Sequence, residues 1–238
     1  LADYCYPYPD RLFGVAMLPM QSIELAIVEM RYARNELGMR GGFLRPNPYN
    51  DRMLGNKDYD VFWADAQELD FAIGIHEGTG GMPAAGADRF EALAPRHIVS
   101  HTVEMMLASL SIIWDGVCER FPKLRIAFLE SGGGWIAPWL DRMDHKYEVM
   151  SSVVPLSMRP SEYFYRQCLI AMDPDEGMNA EVIDHIGADY VIWASDYPHI
   201  DASYGVAKEM TESVRSLSLD AQRKVLGGNA MRFYGLPD

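Results

Sequence analysis

The sequence predicts an α/β fold built on a mainly parallel sheet. Short apolar runs of strand length alternate with longer segments of helical periodicity, which is the pattern of repeated strand–helix units. One of those runs, Tyr190 to Ala194, is apolar on both alternating faces, as a strand covered on both sides must be. Several runs also stop at a His, Glu or Asp, so polar groups are expected to gather at one end of the sheet. A doubly wound sheet and a barrel both fit this pattern. No GxGxxG or GxxxxGK[ST] follows any strand, so a nucleotide-binding fold lacks its signature.

The elements follow in order. Leu12 to Leu18 is apolar and ends at Pro19. Ile23, Ala26, Ile27, Met30, Ala33 and Leu37 recur at helical spacing, with Gly38 as a C-cap. Gly41 to Leu44 is a second strand, and Asp58 to Leu69 a helix with Val61, Phe62, Ala66 and Leu69 on one face. Phe71 to Ile75 is the third strand, followed by a Gly-rich loop from Gly78 to Gly86 that is long for a simple turn. Val103 to Phe121 reads as one long helix, Leu124 to Leu129 as the fourth strand and Trp135 to Val149 as the next helix. Gln167 to Met172 is a fifth strand, Asn179 to Ile186 a helix and Tyr190 to Ala194 the sixth strand. Helices over Val206 to Leu217 and Asp220 to Tyr234 close the chain. With no internal repeat and no linker, residues 1–238 are expected to form a single domain.

Composition narrows the function. The formal net charge of -13 argues against a nucleic-acid partner and gives no attraction to an anionic membrane. No long apolar stretch predicts a membrane span, and no basic-then-apolar start predicts a signal peptide. Cys5, Cys118 and Cys168 are too few and too scattered for a disulfide framework, which fits a reducing cytoplasm.

The strand ends carry the chemistry. The third strand ends at His76-Glu77, the fourth at Glu130-Ser131 before Gly132-Gly133-Gly134, the fifth at Asp173 and the sixth at Ser195-Asp196. Imidazole and carboxylates on one rim of a parallel sheet can assemble a divalent metal site, with zinc the first choice and manganese or iron as alternatives. A bound metal would activate water or polarise a substrate oxygen. The competing reading of a single His or Asp at a strand end is a hydrogen-bonded core residue. The Gly run could bring backbone N–H groups to a ligand, or be a plain turn. His101, at the expected start of a helix, is a candidate substrate contact, and Arg45 a candidate partner for an anionic substrate. His97, His145 and His185 are expected on helix or loop surfaces.

The chain resembles the amidohydrolase-related proteins that include aminocarboxymuconate-semialdehyde decarboxylase and the resorcylate-type decarboxylases. The resemblance rests on Leu124 to Trp135 with Pro138 to Asp144, on Trp193 to His199, and on the closing Leu226 to Leu236. It implies a metal-dependent (β/α)8 TIM barrel lacking its N-terminal strand–helix unit or units. It also implies that His76 is a metal ligand, that Asp196 is a ligand or proton-transfer carboxylate, and that Arg142 reaches a substrate carboxylate across a dimer interface.

Two departures from the family pattern stand out. No His-x-His pair is present, and six strands are counted rather than eight, so the chain is expected to be N-terminally shortened. Glu130-Ser131 stands where decarboxylase relatives carry a His. Glu130 could still ligate metal and Ser131 could bind substrate. The expected function is a metal-dependent hydrolase or decarboxylase acting on a small carboxylate-bearing or aromatic-derived substrate; the alternative is a catalytically inactive barrel fragment. With His76, Asp196 and Glu130 as the countable ligands, weak metal binding is expected. A homodimer around the Trp135 to Val149 helix is expected from its surplus of apolar groups.

Overall fold

The computed structural model describes residues 1–78, 81–199, 202 and 204–236. The strands are β1 (Ala16–Met17), β2 (Gly41–Leu44), β3 (Ala72–His76), β4 (Ile126–Leu129), β5 (Cys168–Met172) and β6 (Val191–Trp193). The helices are α1 (Ala2–Cys5), α2 (Ile23–Asn35), α3 (Asp60–Glu68), α4 (Leu93–Trp114), α5 (Val117–Arg120) and α6 (Ile136–Met150). They continue with α7 (Pro160–Gln167), α8 (Asn179–Ile186), α9 (Val206–Ser213), α10 (Leu219–Arg223) and α11 (Asn229–Tyr234). Among the described helices none is long and apolar enough to cross a membrane.

All strand pairs are parallel, and the spatial order is β1-β2-β3-β4-β5-β6, the order of the sequence. A doubly wound sheet reverses direction at a switch point; this one never does. Right-handed crossovers that always advance one strand place every helix on the same face, which is how a barrel is wound. The fold is therefore of the (β/α)8 TIM-barrel type, represented by six consecutive strands.

Alternation along each strand gives two layers. Ile73, Ile75, Ile126, Phe128, Ile170 and Met172 face the helices and join the main core. The intervening residues Ala72, Ala127, Leu169, Ala171 and Ile192 form a smaller cluster on the inner face with Phe233 of α11. Small inner residues make room for that helix. A Cβ on Gly41, at the amino end of β2, would lie 2.8 Å from both the Tyr234 ring and the Ala72 carbonyl oxygen. The C-terminal aromatics thus plug the amino end of the sheet and leave the carboxyl end open.

Several expected boundaries shift, each for a local reason. The run from Leu12 pairs only at Ala16–Met17, and Leu12 and Phe13 are exposed. Val61 is exposed rather than inward. The helix expected from Val103 to Phe121 begins ten residues earlier, at Leu93, because Pro95 sits in the first turn, where a missing N–H costs nothing. It is divided at Gly116, whose φ of 82° ends one helix and starts another. The segment from Pro160 to Gln167, not assigned from the sequence, is a helix, so β5 begins at Cys168. The closing helix is interrupted at Lys224–Gly228. Of the Gly78 to Gly86 loop, residues 79 and 80 lie outside the described residues.

Candidate active site

The site is assembled by the carboxyl ends of β3, β4, β5 and β6. His76 is the last residue of β3, and Glu130, Asp173 and Asp196 follow β4, β5 and β6 closely. Glu130 and Asp196 both hold left-handed backbone conformations, with φ of 51° and 52°. Such conformations are uncommon outside glycine and are kept where surrounding structure holds them. Here both belong to carboxylates that approach each other.

Glu130 is the hub. Its Oε2 lies 3.0 Å from His76 Nδ1 and 3.9 Å from His101 Nε2. Its Oε1 lies 3.0 Å from His199 Nδ1, which is 2.6 Å from Asp196 Oδ1. One ligand atom from each of Glu130, Asp196 and His199 can be chosen so that all lie within 4.8 Å of one another. A cavity of about 410 Å³ opens beside this group and is lined by His97, His101, Glu130, Ser131, Asp173 and Asp196 among others.

Hydrogen bonds decide which nitrogens are free. His76 Nδ1 is 2.9 Å from the Glu77 carbonyl and His101 Nδ1 is 3.1 Å from the His97 carbonyl. A carbonyl oxygen only accepts, so each Nδ1 carries the proton and each Nε2 offers a lone pair. His101 Nε2 therefore faces Glu130 Oε2 acceptor to acceptor. Glu130 Oε2 is itself buried without a well-directed hydrogen bond, because the nearby His76 N–H is aimed at the carbonyl. Acceptors facing one another across such a gap call for a positive charge between them. A divalent ion bound by imidazole and carboxylate fits that donor set.

The electrostatics agree. Burial pulls the His76 pKa down, but the Glu130 carboxylate beside it, 3.0 Å away, more than offsets this, and the net shift is upward. Burial pushes Glu130 up, yet His76 and Asp196 bring it below the usual carboxylate range. Burial, with His97 beside it, lowers the His101 pKa. Burial and the neighbouring Glu176 raise Asp173 to about 6.

The residues expected from the sequence divide into two groups. His76, Glu130 and Asp196 meet on one rim, and His101 and Ser131 join them as buried residues of the cavity wall. Arg45 and Arg142 are elsewhere. The Arg45 guanidinium stacks 4.9 Å from the centre of the Tyr49 ring and does not line the cavity. Arg142 is exposed on α6 beside a separate apolar pocket of about 530 Å³ lined by Trp114, Trp139 and Met143 among others. The Gly133 and Gly134 N–H groups donate to the Glu176 carboxylate at 2.9–3.1 Å, so an internal carboxylate, not a ligand, occupies that turn.

Two histidines escaped the sequence reading. His199 had a signal in the Asp196-x-x-His199 spacing, since a tight turn after a strand returns the third residue toward the first. His97, half-buried on α4, stacks on His101, with ring centroids 3.8 Å apart. Their i, i+4 spacing would have shown this had the helix been started at Leu93.

A sequence model of the amidohydrolase family matches residues 1–236. The 2-amino-3-carboxymuconate-6-semialdehyde decarboxylase of Dictyostelium discoideum is 28% identical over 231 residues, which is 96% of this chain and 62% of that protein. Among solved structures, an amidohydrolase of Mycobacterium avium subsp. paratuberculosis superposes with a TM-score of 0.81 at 22% identity, over 93% of this chain and 58% of that one. A dihydroxybenzoic acid decarboxylase of Polaromonas sp. JS666, with bound manganese and the inhibitor 2-nitroresorcinol, gives 0.77 at 22% identity, over 98% and 72%. The chain thus spans about three fifths of the length of the first two relatives.

Proposed function

The chain belongs to the amidohydrolase family, and from that premise we propose that it forms most of the catalytic barrel of a divalent-metal-dependent decarboxylase of a small aromatic or unsaturated carboxylate. The observation that carries the reading is the meeting of Glu130, Asp196 and His199 with His76 and His101 at one rim, beside a cavity of small-molecule size. Decarboxylation, rather than hydrolysis, is favoured by the activities named for the relatives. The same names speak against an inactive fragment.

Glu130, Asp196 and the Nε2 atoms of His76 and His101 would hold the metal. Four candidate donors in place of the three counted from the sequence make tight binding the expectation. The relative with manganese and the mixed oxygen and nitrogen donors favour manganese or zinc. When bound, such an ion polarises a substrate oxygen next to the scissile carboxylate. The Asp196–His199 pair, joined at 2.6 Å, moves the proton. The bond from the substrate carbon to its carboxylate breaks, its electron pair stays on that carbon, carbon dioxide leaves, and the carbon takes a proton from the pair. Ser131, buried in the cavity wall, supplies a hydroxyl to the substrate. In this reading the chain works as a single domain in the cytoplasm and as a dimer around α6.

The full-length protein, loaded with manganese or zinc, is to be incubated with dihydroxybenzoates and carboxymuconate-type acids while carbon dioxide release is followed. Metal-dependent release from one member of the set is the expected result. Hydrolysis products without carbon dioxide, or no turnover with either metal, would overturn it.

A further inference from the structure

We propose that Glu77, Asn47 and Glu104 form a second cation site, made only of oxygen ligands and suited to a hard divalent ion of the calcium class. It lies one residue beyond His76, between the end of β3, the loop after β2, and α4. Glu77 and Glu104 are each 2% exposed and Asn47 is fully buried. Among the described residues neither Glu77 carboxylate oxygen has a well-directed hydrogen bond, the adjacent Gly78 N–H giving it only a weak pull, and Asn47 Oδ1 has none. The orphaned oxygens converge on one place. A Cβ built on Gly81 would lie 2.2 Å from Asn47 Oδ1 and 2.8 Å from Glu77 Oε1, so the two oxygens face the same small space.

The other groups present do not satisfy these atoms. Asn47 Nδ2 donates to the Pro83 carbonyl at 3.4 Å, and the Asn47 side chain is also hydrogen-bonded to Glu104. Its amide hydrogens are thereby directed away from Glu77. Glu104 Oε1 accepts the Ala85 N–H. Arg45 attracts Glu77 through space but stacks on Tyr49. Among the described residues, what remains is two buried carboxyl groups and an amide oxygen with no cationic side chain in hydrogen-bond contact. Buried charges are ordinarily paired or bound to metal. Carboxylate and amide oxygens are calcium's ligands, and calcium tolerates irregular geometry, whereas zinc seeks the imidazoles of the rim. Because α4 supplies His101 to the rim and Glu104 to this site, an ion here would brace the helix and strand that carry the rim histidines.

The test uses the full-length protein with one equivalent of zinc per chain to fill the rim, followed by titration with calcium chloride. One calcium bound per chain in calorimetry is expected, with Tm raised by roughly 5–10 °C at a hundredfold excess over Kd. Glu77→Gln should abolish both effects, and Asn47→Asp, which adds a charge, should tighten binding by about tenfold. Absence of calcium binding in the wild type, with Glu77→Gln as stable as the wild type or more so, would overturn the proposal. A proton on Glu77 donated to Asn47 Oδ1 would then fill the gap. Calcium binding unchanged in both variants would overturn it equally, by locating the ion elsewhere.

Discussion

The two ends of the same six strands are built on opposite rules. At the amino end, Gly41, Ala72 and Ala127 keep side chains small, and Phe233 and Tyr234 fill the space with aromatic rings. At the carboxyl end, backbone strain is accepted at Glu130 and Asp196, Glu130 keeps a buried unsatisfied oxygen, and imidazoles face carboxylates. One end holds the sheet together by burial. The other keeps charges close at a cost that burial elsewhere must cover. Substitutions at the two ends should therefore separate stability from chemistry.

The largest effect is expected at Asp196. In the proposed decarboxylase, Asp196→Asn should lower kcat by ~10²–10⁴, the usual worth of a general acid–base group. Asn tolerates the left-handed backbone nearly as well as Asp, so the fold should survive. Measured on one preparation, Tm should move little while turnover collapses. Near-normal turnover with a lowered Tm would assign Asp196 to structure.

The opposite pattern is expected at the plug. Phe233 is 3% exposed, and Phe233→Ala should cost about 3–5 kcal/mol of stability through lost burial and a cavity. Denaturant melts read that loss. Turnover per folded molecule should stay within a few-fold of wild type, since the plug lies at the far end of the strands from the rim.

Much of this division was legible in the sequence, and the limits of legibility are physical. Alternation and strand-end polar residues gave all six strands and put His76, Glu130 and Asp196 on one rim, because period-two burial is a local property. The winding into a barrel was not local. It depends on spatial strand order, which periodicity does not carry. The stacking of His97 on His101 is not local either: it follows only when Pro95 is taken as a first-turn residue and the helix starts at Leu93. The orphaned Asn47 and Glu77 oxygens could not be foreseen, because they come from two loops and meet a helix only in three dimensions.

A smaller effect concerns pH in the metal-free protein. His76 titrates above its ordinary 6.5, the upward pull of Glu130 outweighing burial. Its contribution is complete below 6.5 and is lost as pH rises through the folded value. Glu130 titrates below its ordinary 4.5 because His76 outweighs burial. Its contribution is complete above 4.5 and is lost as pH falls through the folded value. The pair should therefore stabilise most between pH 4.5 and 6.5. Glu77, raised to about 8 by burial and Glu104, adds a loss of stability from 4.5 up to about 8. Tm of chelator-treated protein against pH should show this alkaline decline, and Glu77→Gln should flatten it. Glu130→Gln should remove the fall on the acid side that His76 and Glu130 share.

The smallest effect is expected at Arg142, which belongs to neither end of the sheet. It is exposed on α6, so Arg142→Ala should change stability by less than about 0.5 kcal/mol, as surface substitutions generally do. Its value lies in testing the proposed dimer. Trp139, half-buried, lines the same apolar pocket as Arg142, and the proposed dimer has Arg142 reach the partner's substrate from there. If so, Arg142→Ala should raise KM more than it lowers kcat, because a guanidinium on a substrate carboxylate works mainly by binding. Light scattering at micromolar concentration should report a dimer mass for wild type and variant alike. A monomer mass with unchanged kinetics would remove α6 from the catalytic account and leave the carboxyl rim of one chain to act alone.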